Sequence, residues 1–420
     1  MAVIKPFKAI RPSSDEASTI AALPYDVYNR EEAKAQTIKC PGSFLEIDRA
    51  ETQFEDSVDT YADCVYKKAH DLLWDWVKAG RFVRDDVPCY YIYELIMDGR
   101  HQTGIVACAS IDDYENGVIK KHENTRAEKE ADRIRHVDTC NAQTGPIFLA
   151  YRKNSTIKSI ISRVKEGKPL YDFTSDDGIT HRCWIIGAGD DIAAIEDAFD
   201  KTDSIYIADG HHRAASAVKV GLKRRAAHAG HDGSEEFNFF LSVLFPDEEL
   251  KIMDYNRVVK DLNGLSADEL MKKIDEVADL VLADGNVAPT AGSSEPIHPK
   301  EKGQFSMFLD GKWYLYSFKS EVRSDDPVKG LDVSILQDKV LAPVLGIGDP
   351  KTDDRIDFVG GIRGLKELER RCNIDCKVAF AMYPTSISEL FSVADAGLLM
   401  PPKSTWFEPK LRSGLFIHEL

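Results

Sequence analysis

Residues 207–217 read "IADGHHRAASA". Upstream, Ser204 to Ala208 is a short, mostly apolar run that predicts a buried strand, and downstream an Ala-rich stretch has high helix propensity. The glycine between them predicts a strand-to-helix turn, the element at which an open α/β sheet presents its ligand crevice. Gly210 can take a positive φ and lets a ligand approach the backbone. The unpaired N–H groups of the first helical turn and the helix dipole favour an anion there. Arg213, in that first turn, can fork two donors onto phosphate. The plain alternative makes Asp209 a helix cap, leaves His211 and His212 at the polar mouth of the helix, and puts Arg213 in a surface ion pair.

Outward from this turn, strand and helix patterns are interleaved. Val3 to Ile10 predicts a strand stopped at Arg11-Pro12, and Ser57 to Val77 repeats apolar residues at helical spacing up to Gly80. "CYYIYELIMDGRHQTGIVACASI" (89–111) predicts two strands joined at Asp98-Gly99, and "FSMFLDGKWYLYSF" (305–318) a second Asp-Gly hairpin. Strands are expected at Ile147–Tyr151 and Cys183–Ile186, and a helix start at Ser266 to Glu269. "APTAGSSEPIHPKEKG" (288–303) predicts an exposed loop. The fold class is therefore mixed α/β. Two parts are expected, a phosphate-binding core at 1–245 and a C-terminal mixed α/β part at 246–420 packed on it.

The chain has 420 residues, 30% charged and 43% hydrophobic, the composition of an ordinary globular protein. With 54 basic against 70 acidic residues and a net charge of -16, broad contact with nucleic acid or an anionic membrane is disfavoured. Eight cysteines without a CxxC pair predict neither a zinc site nor a disulfide framework, and so a reducing cytoplasm. The opening "MAVIKPFKAIRP" lacks the apolar core of a signal peptide. No stretch approaches the roughly 20 apolar residues of a membrane span.

A second constellation is "KKHENTRAEKEADRIRHVDTCNAQTGP" (120–146). A helix from Thr125 to about Val137 puts Arg126, Lys129, Arg133 and His136 on one basic side, with Ala127, Ala131, Ile134 and Val137 as the neighbouring apolar face. Glu123, just before it, is a candidate general base or metal-holding carboxylate beside bound phosphate. Charge pattern alone also allows an exposed, salt-bridged helix. "LPYDVY" (23–28) and the Lys403, Ser404, Thr405 run are weaker candidates that look mostly like turns.

"IKPFKAIRP", "ALPYDV", "KKHENT" with "DRIRH", "IADGHHR", "RIDFVGG" and "MPPKSTWFEPKLRSGLFIHEL" together resemble a family of bacterial and archaeal proteins known as a domain of unknown function. The DGHHR segment also resembles the phosphate-binding signature of the ParB and sulfiredoxin-like superfamily, which includes the free serine kinases. That resemblance implies a ParB/sulfiredoxin-like core with long insertions. It implies that Gly210, His211, His212 and Arg213 grip the phosphates of ATP or ADP; Arg126 and Arg133 of the basic helix side are further candidates for them, and Mg²⁺ is expected with the nucleotide. Asp209 would lie beside the transferred group, and Glu123 or Asp209 would accept the hydroxyl proton, Glu123 being the first candidate for the base. The function so implied is phosphoryl transfer from a nucleotide to a small hydroxyl-bearing substrate, serine among the possibilities. A nucleotide-binding regulatory or scaffold protein without turnover and a phosphohydrolase are the alternatives. Histidine stands where sulfiredoxins carry cysteine, which argues against sulfinic-acid reduction. No recognition helix accompanies the motif, which argues against a DNA partner.

Overall fold

The computed structural model describes residues 1–125, 127–281 and 292–420. They form two units, Met1–Leu250 with Pro409–Leu420, and Lys251–Glu408.

The main sheet of the first unit has nine strands: β1 (Ile4–Lys5), β2 (Tyr90–Met97), β3 (Arg100–Ser110), β4 (Ile119–Lys120), β5 (Ile147–Tyr151), β6 (Tyr171–Thr174), β7 (Thr180–Ile186), β8 (Ile205–Asp209) and β9 (Phe239–Pro246). Their order is β4-β8-β5-β9-β3-β2-β7-β6, with β1 beside β3. The β4/β8 and β5/β9 pairs are parallel and the others antiparallel, so the fold is mixed α/β. The five helices used below are α1 (Asp63–Lys78), α2 (Ala127–Cys140), α3 (Ser155–Val164), α4 (Gly189–Asp200) and α5 (His211–Ala227). Ile105, Leu149 and Ile207 of the sheet pack with Ile157 of α3, Phe199 of α4 and Val218 of α5 in one core. A second core joins Leu73 and Trp76 of α1 to Phe44, Cys140 and Ile417. The central strands are buried on both sides, which is why they are near-continuous apolar runs without alternation.

The β2–β3 hairpin turns at Asp98 and Gly99, both at positive φ (53° and 76°), as the sequence predicts. The opening strand is shorter than expected. β1 ends at Lys5 because Pro6 has no N–H for the ladder, and Ile10–Pro12 pairs separately with Phe82–Arg84. The closing residues 409–420 return to this unit, where Ile417 bridges Ile10 and His418 pairs with Gln143.

In the second unit six strands, β10 (Tyr255–Val259), β11 (Ala278–Val281), β12 (Gln304–Leu309), β13 (Lys312–Phe318), β14 (Ile356–Gly360) and β15 (Val378–Met382), form an antiparallel sheet in the order β11-β13-β12-β15-β10-β14. The second Asp-Gly hairpin is present, with Asp310 and Gly311 at φ 47° and 74°. Helix α6 (Ala267–Asp275) starts where expected, and a Ser266/Glu269 capping box closes its first turn. Leu365 and Leu368 of α7 (Leu365–Ile374) pack on Val258, Phe308 and Ala379. Residues 292–303 of the expected loop carry neither helix nor a named strand, and 288–291 lie outside the described residues.

Candidate functional site

β8 delivers Asp209 to the edge of the sheet, and α5 begins two residues later. Gly210 makes the reversal in the left-handed region, at φ 91° and ψ 30°, where a side chain would be strained. A Cβ there would also lie 3.1 Å from Nε and Nη2 of Arg213, whose guanidinium folds back over the turn. Arg213 Nη1 donates to the Pro146 carbonyl at 2.5 Å. The Gly210 N–H donates to Asp209 Oδ1 at 2.8 Å, and Lys410 Nζ donates to Asp209 Oδ2 at 2.9 Å. Burial would raise the Asp209 pKa, but the charges of Lys410 and Arg213 and the Gly210 N–H outweigh it and hold the carboxyl well below the usual carboxylate range. Asp209 is therefore a fixed anion.

The parallel β4/β8 pairing, Ile119 to Ile205 and Lys120 to Tyr206, carries the next residues of the "KKHENT" segment alongside the end of β8. The His122 ring meets the His211 ring edge-to-face at 4.5 Å. Both are buried. Burial lowers their pKa to about 3 for His122 and about 4 for His211, so both are neutral at pH 7. His211 is only 6% exposed, yet its Nε2 has no hydrogen-bond partner among the described residues. Glu123, half-buried, follows His122 directly, and its charge acts on the His122 ring. His212 is half-buried, and its carbonyl accepts from Ser216 Oγ at 2.7 Å.

The helix of the second constellation is α2, and of its basic side it buries Arg133 and His136 and leaves Lys129 exposed. Arg133 is 7% exposed and His136 is buried, whereas Ala127 and Ala131 of the expected apolar face are exposed and Ile134 and Val137 half-buried. The reason is tertiary. Arg133 pairs with Asp132 at 2.8 Å and lies over the Tyr25 ring at 4.0 Å, with Asp48 close enough to act on its charge. On its other side α2 docks on α5: Ser216 Oγ donates to the Glu130 carbonyl at 3.2 Å, and Lys219 pairs with the Glu130 carboxylate.

Tyr25, Asp48, Asp132, Arg133 and His136 line a cavity of about 170 Å³. A smaller one of about 30 Å³ is lined by Tyr25, Arg133, Gly145, Arg213 and Ser413, so the two arginines face one space. Burial pushes the Tyr25 hydroxyl pKa up, and the charges of Arg133 and Arg213 both act on it. The structure thus brings Asp209, Gly210, His211 and Arg213 together with the Glu123 segment and Arg133. Arg126 lies outside the described residues. Asp48, His122, Lys410 and Ser413 escaped the sequence reading as site residues, and Tyr25 entered it only within the weaker candidate "LPYDVY". For His122, Lys410 and Ser413 the one signal is that they lie in segments that carry the family resemblance; Asp48 has none. Ser404 is buried with its hydroxyl donating to the Pro401 carbonyl, and Lys403 lies over the Tyr255 ring, both within the second unit.

Among the described residues no helix is long and apolar enough to cross a membrane. No curated protein matches the chain. Among solved structures, SbnI with a C-terminal truncation from Staphylococcus aureus is similar at 11% identity, TM-score 0.38, covering 73% of this chain and 85% of that one. A free serine kinase in complex with AMP is similar at 15% identity, TM-score 0.34, covering 74% and 92%. A conserved hypothetical protein from Pyrococcus furiosus is similar at 14% identity, TM-score 0.34, covering 74% and 94%. The family model described as a protein of unknown function, DUF1015, matches residues 4–334, and the chain belongs to that family.

Proposed function

We propose that this chain is a nucleotide-dependent phosphotransferase acting on a small hydroxyl-bearing molecule, with serine as one candidate and the phosphate cradle at Gly210 to Arg213. The observation that carries this reading is the disposition of Arg213. One of its nitrogens is tied to the Pro146 carbonyl. The other two lie against Gly210 with no acceptor among the described residues, at the mouth of a 17-residue helix. An anchored fork beside the outward N–H groups of His211, His212 and Arg213 suits phosphate oxygens. Arg133, in the neighbouring wall, adds positive charge, and Arg126 is a further candidate.

In the transfer, the acceptor hydroxyl gives its proton to Glu123 and its oxygen bonds to the terminal phosphorus of ATP or ADP. The bond from that phosphorus to the bridging oxygen breaks, and the electron pair leaves with the nucleotide. Asp209 is too weak a base for the proton, because Lys410 and the Gly210 N–H hold it ionised. It stands beside the transferred group and keeps Lys410 in place. Among the described residues no cluster of three His, Cys, Asp or Glu side chains can hold a metal alone. Mg²⁺ brought with the nucleotide would need only one or two protein oxygens, for which Glu123 and Asp209 are the candidates. Such an ion neutralises charge on the phosphate oxygens when bound.

The test is to incubate the protein with ATP or ADP, Mg²⁺ and a panel of hydroxyl compounds including serine, following products by phosphorus NMR. Glu123→Gln is expected to lower turnover about 100-fold or more, the usual share of a general base. Binding with neither product nor released phosphate makes the chain a nucleotide-binding regulator or scaffold. Phosphate release without an acceptor makes it a phosphohydrolase.

A further inference from the structure

The cavity of about 170 Å³ bordered by Tyr25 and Arg133 is too small for a nucleotide. It has room for a molecule of roughly six non-hydrogen atoms, the size of benzene in a cavity of about 150 Å³. The smaller cavity beside it shares Tyr25, Asp48, Arg133 and His136 with it and reaches Arg213. The larger space is therefore the acceptor's side of the site, and the charge on its wall selects what the acceptor carries.

All but one of the charges on that wall have a counter-charge. Asp132 takes Arg133 at 2.8 Å on Oδ2 and the Tyr66 hydroxyl at 2.8 Å on Oδ1. Glu51 takes Arg49 at 2.6 Å. Lys129 and Asp26, both exposed, offset each other at the rim. His136 is neutral at pH 7, because burial and the charge of Arg133 lower its pKa. Asp48 is the remainder. It is 5% exposed, and its Oδ1 accepts from Thr144 Oγ1 at 3.0 Å. Its Oδ2 has no hydrogen-bond partner among the described residues, yet it is not sealed off and opens on the cavities that Asp48 lines. Arg133 acts on Asp48 through space but forms its ion pair with Asp132. A carboxylate oxygen so enclosed is costly without a donor, and the wall lacks one positive charge.

We propose that the acceptor is a short amino alcohol whose ammonium group donates to Asp48 Oδ2. The hydroxyl end of this inference rests on the phosphotransferase reading, and the ammonium end rests on the cavity alone. Asp48 borders both spaces, so an ammonium held there leaves the hydroxyl to extend into the smaller one, toward Arg213 and its phosphate. Four tyrosines, Tyr25, Tyr28, Tyr61 and Tyr66, share the lining of the larger space. Two of them already carry an arginine over the ring, Arg133 on Tyr25 at 4.0 Å and Arg135 on Tyr66 at 4.3 Å. Ring faces attract a cation and repel a carboxylate. A polyol would leave the charge of Asp48 uncompensated, and an acid would set a second anion beside it.

The test is calorimetric titration of the full chain, without nucleotide, with ethanolamine, ethylamine, ethylene glycol and propionate. Phosphorus NMR then follows ethanolamine and ethylene glycol incubated with ATP or ADP and Mg²⁺. Both amines are expected to bind at least about tenfold more tightly than the diol or the acid, and Asp48→Asn to erase that preference. Ranking the four probes on the parent chain keeps the proposal falsifiable if Asp48→Asn does not fold. Ethanolamine is expected to be phosphorylated in preference to ethylene glycol. Tight, Asp48-dependent binding of amines with no phosphorylated product would leave the ammonium site standing and overturn the assignment of an amino-alcohol acceptor together with the phosphotransferase reading. Phosphorylated ethylene glycol, with amines bound no better than the diol, would keep that reading and overturn the proposal, as would tighter binding of propionate than of ethylamine.

Discussion

The mouth of α5 and the middle of α2 both carry arginine and histidine, and they behave in opposite ways. At α5 the backbone decides. A strand, a glycine at positive φ and a helix of good propensity leave Arg213 near its own turn, as its sequence neighbours alone suggest. In α2 the spacing of Arg133 and His136 says only that they share a face. Which way that face points is set by Tyr25 and Asp48, brought from far along the chain, and by α5 docking on the other side. Local geometry is written in local sequence, and the burial of a charge is not.

The sharpest way to break this contrast is to remove the buried charge of α2. Arg133→Met leaves Asp132 and Asp48 without their counter-charge and is expected to destabilise the chain by about 3–5 kcal/mol in urea unfolding, the usual cost of breaking a buried pair from one side. A cost under about 0.5 kcal/mol, typical of an exposed position, would show that the basic face is solvated after all.

The same limits explain what was legible in the sequence. Both Asp-Gly hairpins, the strand at Ile147–Tyr151, the capping box of α6 and the β8 to α5 turn rest on residues adjacent in the chain, and each was readable. The break at Pro6 was underrated because an apolar run outweighed one missing donor. Glu123 could be named as a candidate, but its nearness to the turn depends on β4 pairing with β8, which no local pattern states. Lys410 was missed for the same reason: it reaches Asp209 across 201 residues. A lysine inside a proline-bounded segment carries no mark of its partner.

A smaller effect separates the two histidines of the cluster from ordinary surface ones. Unfolded histidines take up a proton as the pH falls through about 6.5, whereas folded His122 and His211 stay neutral until about 3 and about 4. Between those values the unfolded chain binds more protons, so their contribution to stability is full above about 6.5 and declines as the pH falls. At pH 5 each is expected to cost about 2 kcal/mol relative to pH 7.5. Urea titrations at the two pH values should show a shallower decline in His122→Gln and His211→Gln than in the parent chain. An unchanged pH dependence would mean that the pair is open to water.

The central claim is that Arg213 holds its fork for phosphate, and the smallest change that tests it is Arg213→Lys, which keeps the charge and loses the planar pair of donors. Calorimetric titration of ATP and ADP into the parent and this variant is the most direct measurement. The account predicts that both nucleotides bind the parent chain and that the variant binds them about tenfold more weakly, ~1.4 kcal/mol, with a modest fall in melting temperature from the lost bond to Pro146. Unchanged nucleotide affinity together with a lower melting temperature would contradict it, because Arg213 would then serve only to brace the turn.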